Sequence, residues 1–154
     1  MRIAHATTAQ RDAIVALWSE AGLTRPWNDP YADLDRALAG PASTVLVATD
    51  RAAGAGEVRG TVMVGHDGHR GWVYYLAVTP DQRGAGIATQ LMRAAEDWLV
   101  DAGVPKIQLM IRAGNAGVRA FYERLGYADQ DVLVLGRFFD DDLNAARERG
   151  SSTT

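Results

Sequence analysis

The stretch that most constrains this chain is residues 71–89, where an apolar strand runs into a glycine-rich turn and the turn runs directly into a helix. Residues 71–78 read Gly-Trp-Val-Tyr-Tyr-Leu-Ala-Val, almost wholly apolar or aromatic, and they stop at Thr79-Pro80, where a residue without an N–H cannot continue a ladder. Arg83, Gly84, Ala85, Gly86, Ile87 and Ala88 follow as a small, flexible run, and a helical stripe of Ile87, Leu91, Ala94, Ala95, Trp98 and Leu99 begins at once. A chain with this order places a helix N-terminus at the end of a buried strand.

That arrangement is a place for an anion. The first N–H groups of a helix lack intrahelical partners, the macrodipole makes that end partly positive, and glycines let an anion approach the backbone. The expected ligand is a pyrophosphate. A nucleotide P-loop requires Gly-Lys-Ser or Gly-Lys-Thr, which this loop lacks. A dinucleotide-binding loop requires a third small residue, where Thr89 stands, and a parallel βαβ unit. Here the strand instead follows another across the hinge Asp67-Gly68-His69-Arg70-Gly71, as in an antiparallel hairpin.

The 154 residues are 47% hydrophobic and 23% charged, a balance that fits one globular domain. A formal net charge of −3 supplies no basic field for nucleic acid, so none is expected as a partner. Without cysteine, the protein has no disulfide, no thiolate metal site and no cysteine nucleophile. No apolar run approaches the roughly 20 residues that span a bilayer, and residues 1–5 lead straight into strand-like sequence, so the expectation is a cytoplasmic protein with no membrane partner.

In chain order, residues 2–6 are expected as a strand, Thr7 or Thr8 as the N-cap of a helix with Ile14, Leu17, Trp18 and Ala21 on one stripe, and Gly22 as its end. Pro26 and Pro30 with Asn28-Asp29 between them predict a loop, followed by a helix over 31–39. Strands are expected over 44–49 and 57–66, with a loose turn over 51–56 between them. After the 71–89 unit, Gly103-Val104-Pro105 stops the helix, 106–112 alternates as a strand, and a helix over 115–125 closes at Gly126. Residues 131–139 are expected as one last strand or two abutting ones, and the polar stretch from 140 as a frayed helix and disorder.

The second motif is residues 115–127, Asn-Ala-Gly-Val-Arg-Ala-Phe-Tyr-Glu-Arg-Leu-Gly-Tyr. Asn115 reads as an N-cap, Gly126 as a C-cap, and Val118, Phe121, Tyr122 and Leu125 as a core stripe. Together with Arg-x-x-Gly-x-Ala at 83–88, this motif resembles the GNAT (GCN5-related) N-acetyltransferases over nearly the whole chain. Arg-Pro-Trp-Asn-Asp-Pro, Asp-Gly-His-Arg-Gly and Tyr-Glu-Arg-Leu-Gly-Tyr resemble the YpeA-like branch in particular.

The resemblance implies an α/β (α+β) GNAT fold over residues 1–139, with a polar, partly disordered tail over 140–154. Its single, mixed, mostly antiparallel sheet would be splayed between the fourth and fifth strands, with about four helices on its faces. It implies acetyl-CoA as cosubstrate, no metal, and direct acetyl transfer to a primary amine in a ternary complex. Leu76, Ala77 and Val78 would pair with the pantetheine arm, an N–H there would stabilise the oxyanion, and Arg83, Gly84, Ala85, Gly86, Ile87, Ala88 and Thr89 would hold the pyrophosphate. Asn115 would contact the cofactor, and Tyr122 would be the general acid. Trp27, Asn28, Asp29, Tyr74 and Tyr75 are the acceptor-side candidates.

Some relatives carry a glutamate base five residues before the signature asparagine. Here that position is Met110, and Tyr74 and Tyr75 occupy the cofactor strand where many members have a carboxylate. No base is assigned; Asp67, His69, His66 and Asp29 are candidates, each also readable as a turn former or solvated polar residue, and a base acting through water is equally admissible. The acceptor is a small-molecule amine or a peptide or protein amine, and the protein a monomer or homodimer. The alternatives are an acyl-CoA-binding sensor or regulatory subunit without turnover and a scaffold that docks through the Trp27 loop and the last strands.

Overall fold

The computed structural model describes residues 1–50 and 56–151. The turn expected over 51–56 therefore lies almost wholly outside the described residues. Five strands form one sheet in the order β1 (Arg2–His5), β2 (Ser43–Thr49), β3 (Val58–His66), β4 (Gly71–Val78) and β5 (Ile107–Gln108). All neighbours are antiparallel except β4 and β5, which are parallel. Among the described residues five α-helices accompany them, against about four expected: α1 (Arg11–Glu20), α2 (Pro30–Ala39), α3 (Ile87–Asp101), α4 (Ala116–Arg124) and α5 (Asp141–Ser151).

By packing, the chain divides into two units: Met1–Thr24 with Pro30–Leu109, and Arg25–Asp29 with the chain from Met110 onward. The first holds the whole sheet and α1 to α3. On one face Ile14, Leu17 and Trp18 of α1 and Leu34 and Ala37 of α2 pack with Val45 and Val47 of β2. On the other lies the apolar stripe of α3, with Ile87, Leu91, Met92, Ala95 and Leu99 buried. Because both faces are covered, β2 is buried along nearly its whole length rather than on alternate residues. Gly60 and Gly71 let α3 come close: a Cβ at Gly71 would run into the Leu99 side chain, and one at Gly60 would lie 3.0 Å from Leu91 Cδ1.

Two irregularities in β4 position everything that follows. Its register with β3 passes from Thr61↔Ala77 to Met63↔Tyr74, so Tyr75 and Leu76 together oppose the single residue Val62, a β-bulge. Tyr75 takes φ +52°, which costs a residue with a Cβ roughly 1–2 kcal/mol. Pairing with β5 is confined to Gly71↔Ile107 and Trp72↔Gln108. From Val73 on, that edge of β4 has no ladder partner among the described residues, and this opening is the splay.

Several expectations need correction. Helix α1 proper begins at Arg11; Thr7 instead opens a 3-10 turn over Thr8–Gln10, in which the Gln10 carboxamide accepts the Thr7 N–H at 3.0 Å. The strand expected over 106–112 shrinks to two residues, because alternation tells which face a side chain takes but not whether a neighbouring edge is in reach. The strand expected over 131–139 does not form. Asp131 (φ +53°) closes a turn in which its N–H bonds to Asp129 Oδ1, and the apolar residues beyond it, with Leu133 91% and Leu135 92% exposed, have no ladder. The expected core stripe of α4 reduces to Tyr122, the one residue of that helix that is buried; Val118 is exposed.

The close approach at Gly71 gives a direct test. Gly71→Ala should destabilise the protein by about 1–3 kcal/mol through overpacking against Leu99, read as a lower urea midpoint at unchanged m-value. An unchanged midpoint would mean that Leu99 swings aside without cost.

Candidate functional site

The loop after β4 is built to leave amides free. Pro80–Gln82 forms a 3-10 turn, tied down by Gln82 N–H to the Thr79 carbonyl at 3.0 Å and by Arg59, which ion-pairs with Asp81 at 3.4 Å. Gly84 (φ +81°) and Gly86 (φ +80°) are both left-handed, a conformation open to glycine and strained for other residues. A Cβ built on either glycine meets nothing within 4 Å, so the space in front of the loop is clear. Gly86 caps α3 and offers no side chain to its N-terminus. Among the described residues, none of the N–H groups of Gly84, Gly86, Ile87, Ala88 and Thr89 reaches a protein carbonyl, while the Gln90 N–H closes the first turn on the Gly86 carbonyl. Ala85 is the exception in this run: its N–H bonds to the Gln82 carbonyl at 3.3 Å.

Aligned donors, a helix dipole and glycine clearance suit a diphosphate. Arg83 is exposed and has no ion-pair partner among the described residues, leaving its guanidinium available to the same anion.

Leu76, Ala77 and Val78 lie on the unpaired edge of β4, just before this loop. The two tyrosines beside them part ways. Tyr74 is 44% exposed, and its partial burial pushes the phenol up from its ordinary value. Tyr75 turns inward: its ring stacks on Trp18 at 4.0 Å and 13°, and its hydroxyl donates to Asp33 Oδ2 at 2.7 Å. Burial first, then the Asp33 bond and charge, hold the Tyr75 phenol well above the usual tyrosine range. The sequence pattern gave no sign of the contribution of Asp33, because a carboxylate in the first turn of a helix reads as a dipole partner.

The hinge residues considered as bases are turn formers. The Asp67 carboxylate accepts the N–H groups of His69 and Arg70, each at 2.8 Å, and these bonds, that of Arg70 foremost, hold it below the ordinary carboxylate range. His66 Nδ1 accepts the Gly68 N–H, and its ring tilts against Trp98. The hinge also adjoins the β4–β5 pairing at Gly71, at the end of β4 away from the glycine loop.

In the second unit, Asn115 caps α4, its side chain accepting the Val118 N–H at 3.3 Å, and Gly126 (φ +92°) ends the helix. Tyr122 is 7% exposed, held edge-on between the rings of Phe121 and Tyr127, and burial pushes its phenol up to about 12. Trp27 is half-buried; a Cβ at Gly150 of α5 would lie 2.7 Å from its ring. Asn28 and Asp29 are exposed in the turn that the Asn28 N–H closes on the Arg25 carbonyl. Met110 is exposed. Among the described residues no group of three or more His, Cys, Asp or Glu side chains is placed to hold a metal ion, and no helix is long and apolar enough to cross a membrane.

The family described as Acetyltransferase (GNAT) matches residues 11–127. Acetyltransferase SG1711 of Sodalis glossinidius (strain morsitans) is 46% identical over 132 residues, covering 85% of this chain and 90% of that protein. Among solved structures, AAC(6')-Iy in complex with a bisubstrate analogue, CoA-S-monomethyl-acetylneamine, has a TM-score of 0.73 at 16% identity, covering 89% of this chain and 97% of that one. The ribosomal-protein-alanine N-acetyltransferase of Brucella melitensis biovar Abortus 2308 has a TM-score of 0.68 at 22% identity, covering 90% of this chain and 100% of that one. Both likenesses concern the fold.

Burial of Tyr122 carries a pH signature. A phenol raised from about 10 unfolded to about 12 folded contributes stability that is complete below about pH 10 and is lost as pH climbs through about 12. Unfolding free energy should therefore decline above about pH 10, and Tyr122→Phe should flatten part of that decline. An identical alkaline slope in the variant would show that Tyr122 ionises as freely in the folded protein as in the unfolded one.

Proposed function

This chain belongs to the GNAT family of acetyltransferases, and from that premise we propose that it moves an acetyl group from acetyl-CoA directly to a primary amine within a ternary complex. The observation that carries the reading is the glycine loop: five N–H groups without a protein carbonyl, two left-handed glycines and clear space in front of them. Amides of Gly84, Gly86, Ile87, Ala88 and Thr89 bind the pyrophosphate, with Ala85 in the same turn and Arg83 supplying a charge. Leu76, Ala77 and Val78 pair with the pantetheine arm along the open edge of β4, and a fixed N–H there offsets the oxyanion, a contribution commonly about 3 kcal/mol. Asn115 contacts the cofactor from the start of α4.

Tyr122 is the general acid. Burial keeps the phenol protonated at neutral pH and also makes it a weaker acid, so donation to a thiolate of reference pKa ~8.5 depends on the environment that the bound cofactor supplies. No side-chain base is assigned: Met110 stands where some relatives place a glutamate, and the Asp67 carboxylate is held too acidic for a strong base. This favours an acceptor whose amine is partly neutral unaided. An α-amino group of pKa ~8 is roughly a fifth neutral near pH 7.4, and a lysine-like amine of pKa ~10.4 only about 0.1%. Trp27, Asn28, Asp29 and Tyr74 are each candidates for contact with the acceptor. The strings Arg-Pro-Trp-Asn-Asp-Pro and Tyr-Glu-Arg-Leu-Gly-Tyr support membership of the YpeA-like branch. The AAC(6')-Iy and ribosomal-protein-alanine neighbours act, by their names, on an aminoglycoside and a protein amine. A panel of both kinds of amine, read by free-thiol release, tests the acceptor class.

Two variants test the chemistry. Gly86→Glu, which sets a side chain and a negative charge in the anion site, should abolish acetyl-CoA binding in calorimetry; unchanged affinity in the folded variant would rule the loop out. Tyr122→Phe keeps the packed ring and removes the acid, so kcat should fall about 10²-fold with cofactor affinity nearly unchanged. Wild-type turnover in that variant would leave Tyr122 as a packing residue.

A further inference from the structure

We propose that Asp33 and Tyr75 are a positioning pair that holds the β4 bulge, and with it the peptide groups of Leu76, Ala77 and Val78, in the geometry the acyl-bearing arm requires. The proposal rests on the acetyl-CoA reading above.

The bulge is not set by the strand itself. A tyrosine disfavours φ +52°, and the bulge also removes Tyr75 and Leu76 from the register with β3. Left alone, the segment would relax to a straight extended strand in which each residue has a partner. What opposes relaxation is Tyr75 itself, whose ring, hydroxyl and carbonyl are tied to three other elements at once. Its ring lies flat on Trp18 of α1, which is fully buried. Its own carbonyl accepts the hydroxyl of Thr61 on β3 at 3.1 Å, and that hydroxyl in turn accepts the Trp18 Nε1–H at 2.9 Å. Its phenol donates to Asp33 Oδ2 on α2, while Asp33 Oδ1 is held at 2.7 Å by Arg36 one turn on.

Ring plane, carbonyl and hydroxyl are thus all fixed, which leaves the peptide following Tyr75 little rotational freedom. That peptide carries the Leu76 N–H, the first group of the segment assigned to the arm. The extended alternative would return Leu76 to the β3 register and turn its peptide accordingly. Burial of Trp18 and Thr61 accounts for the stack; it does not account for a carboxylate on α2 that meets the phenol at the one irregular residue of β4.

The test separates positioning from packing. Tyr75→Phe keeps the buried ring and deletes the hydroxyl; Asp33→Leu deletes the acceptor; Asp33→Asn retains one. Without cofactor, amide exchange at Leu76 and Ala77 should speed about tenfold in Tyr75→Phe and Asp33→Leu, and the Tyr75 HN–Hα coupling should move towards that of an extended strand. Acetyl transfer to glycinamide should lose about 10- to 30-fold in kcat, with CoA affinity within about threefold because the glycine loop is untouched, and Asp33→Asn should restore both readouts. A lower Tm with unchanged exchange, coupling and kcat in Tyr75→Phe would overturn the proposal and make the pair ordinary packing. Wild-type protein that bound no CoA would instead sink the acetyl-CoA reading. The exchange and coupling measurements, taken without cofactor, would still decide whether the pair holds the bulge.

Discussion

A tyrosine stacked flat on a tryptophan, with its backbone in the left-handed region, is the constraint on which the first unit of this protein depends. The stack contributes about 0.5–1.5 kcal/mol beyond burial, and each satisfied buried hydrogen bond about as much. Taken over the stack and the bonds to Thr61 and Asp33, that sum matches or exceeds the roughly 1–2 kcal/mol that φ +52° costs at Tyr75. The bulge therefore persists through side-chain contacts and not through any preference of its own backbone. It lies within the part of β4 whose outer edge, beyond the doubly paired Gly71 and Trp72, has no ladder partner among the described residues up to the glycine loop.

The proposed chemistry draws on the same economy of means. On the proposed reading, an acidic chain of net charge −3 would meet an anionic cosubstrate without a field of lysines, through peptide N–H groups at the mouth of α3. Such donors cannot be titrated and need no reorganisation on binding. Tyr122 is the complementary case: burial keeps its phenol neutral but makes it give up the proton less readily than an ordinary tyrosine, so its proposed use as an acid depends on what binds beside it. Asp67, whose carboxylate is pinned by two amides, shows how a residue that looks chemically able in sequence is spent on closing a turn.

Much of this was legible before any fold was known, and the reasons are local. Strand β4, the loop and α3 announce themselves because Pro80 cannot extend a ladder, Gly84 and Gly86 tolerate positive φ, and the stripe from Ile87 to Leu99 repeats at helical spacing. Asn115 and Gly126 mark the ends of α4 for equally local reasons, a side-chain acceptor at one end and a left-handed residue at the other. Composition and charge set aside nucleic acid from the expected partners, and the spacing of the two motifs pointed to the family that the comparisons then showed.

What the sequence could not determine is everything that depends on a partner distant along the chain. Residues 131–139 carry strand-like composition and still form no strand, and the strand expected over 106–112 keeps only Ile107–Gln108, because a ladder is a property of two edges and not of one segment. The bulge in β4, the inward turn of Tyr75 while Tyr74 stays half exposed, and the contribution of Asp33 arise from contacts 14 to 57 residues apart, where α1, α2 and β3 meet one residue of β4. Periodicity and turn chemistry read along the backbone, so they marked the helices, the turns and the β4-loop-α3 unit. The open edge of β4 and the state of its side chains were decided only when packing brought the elements together.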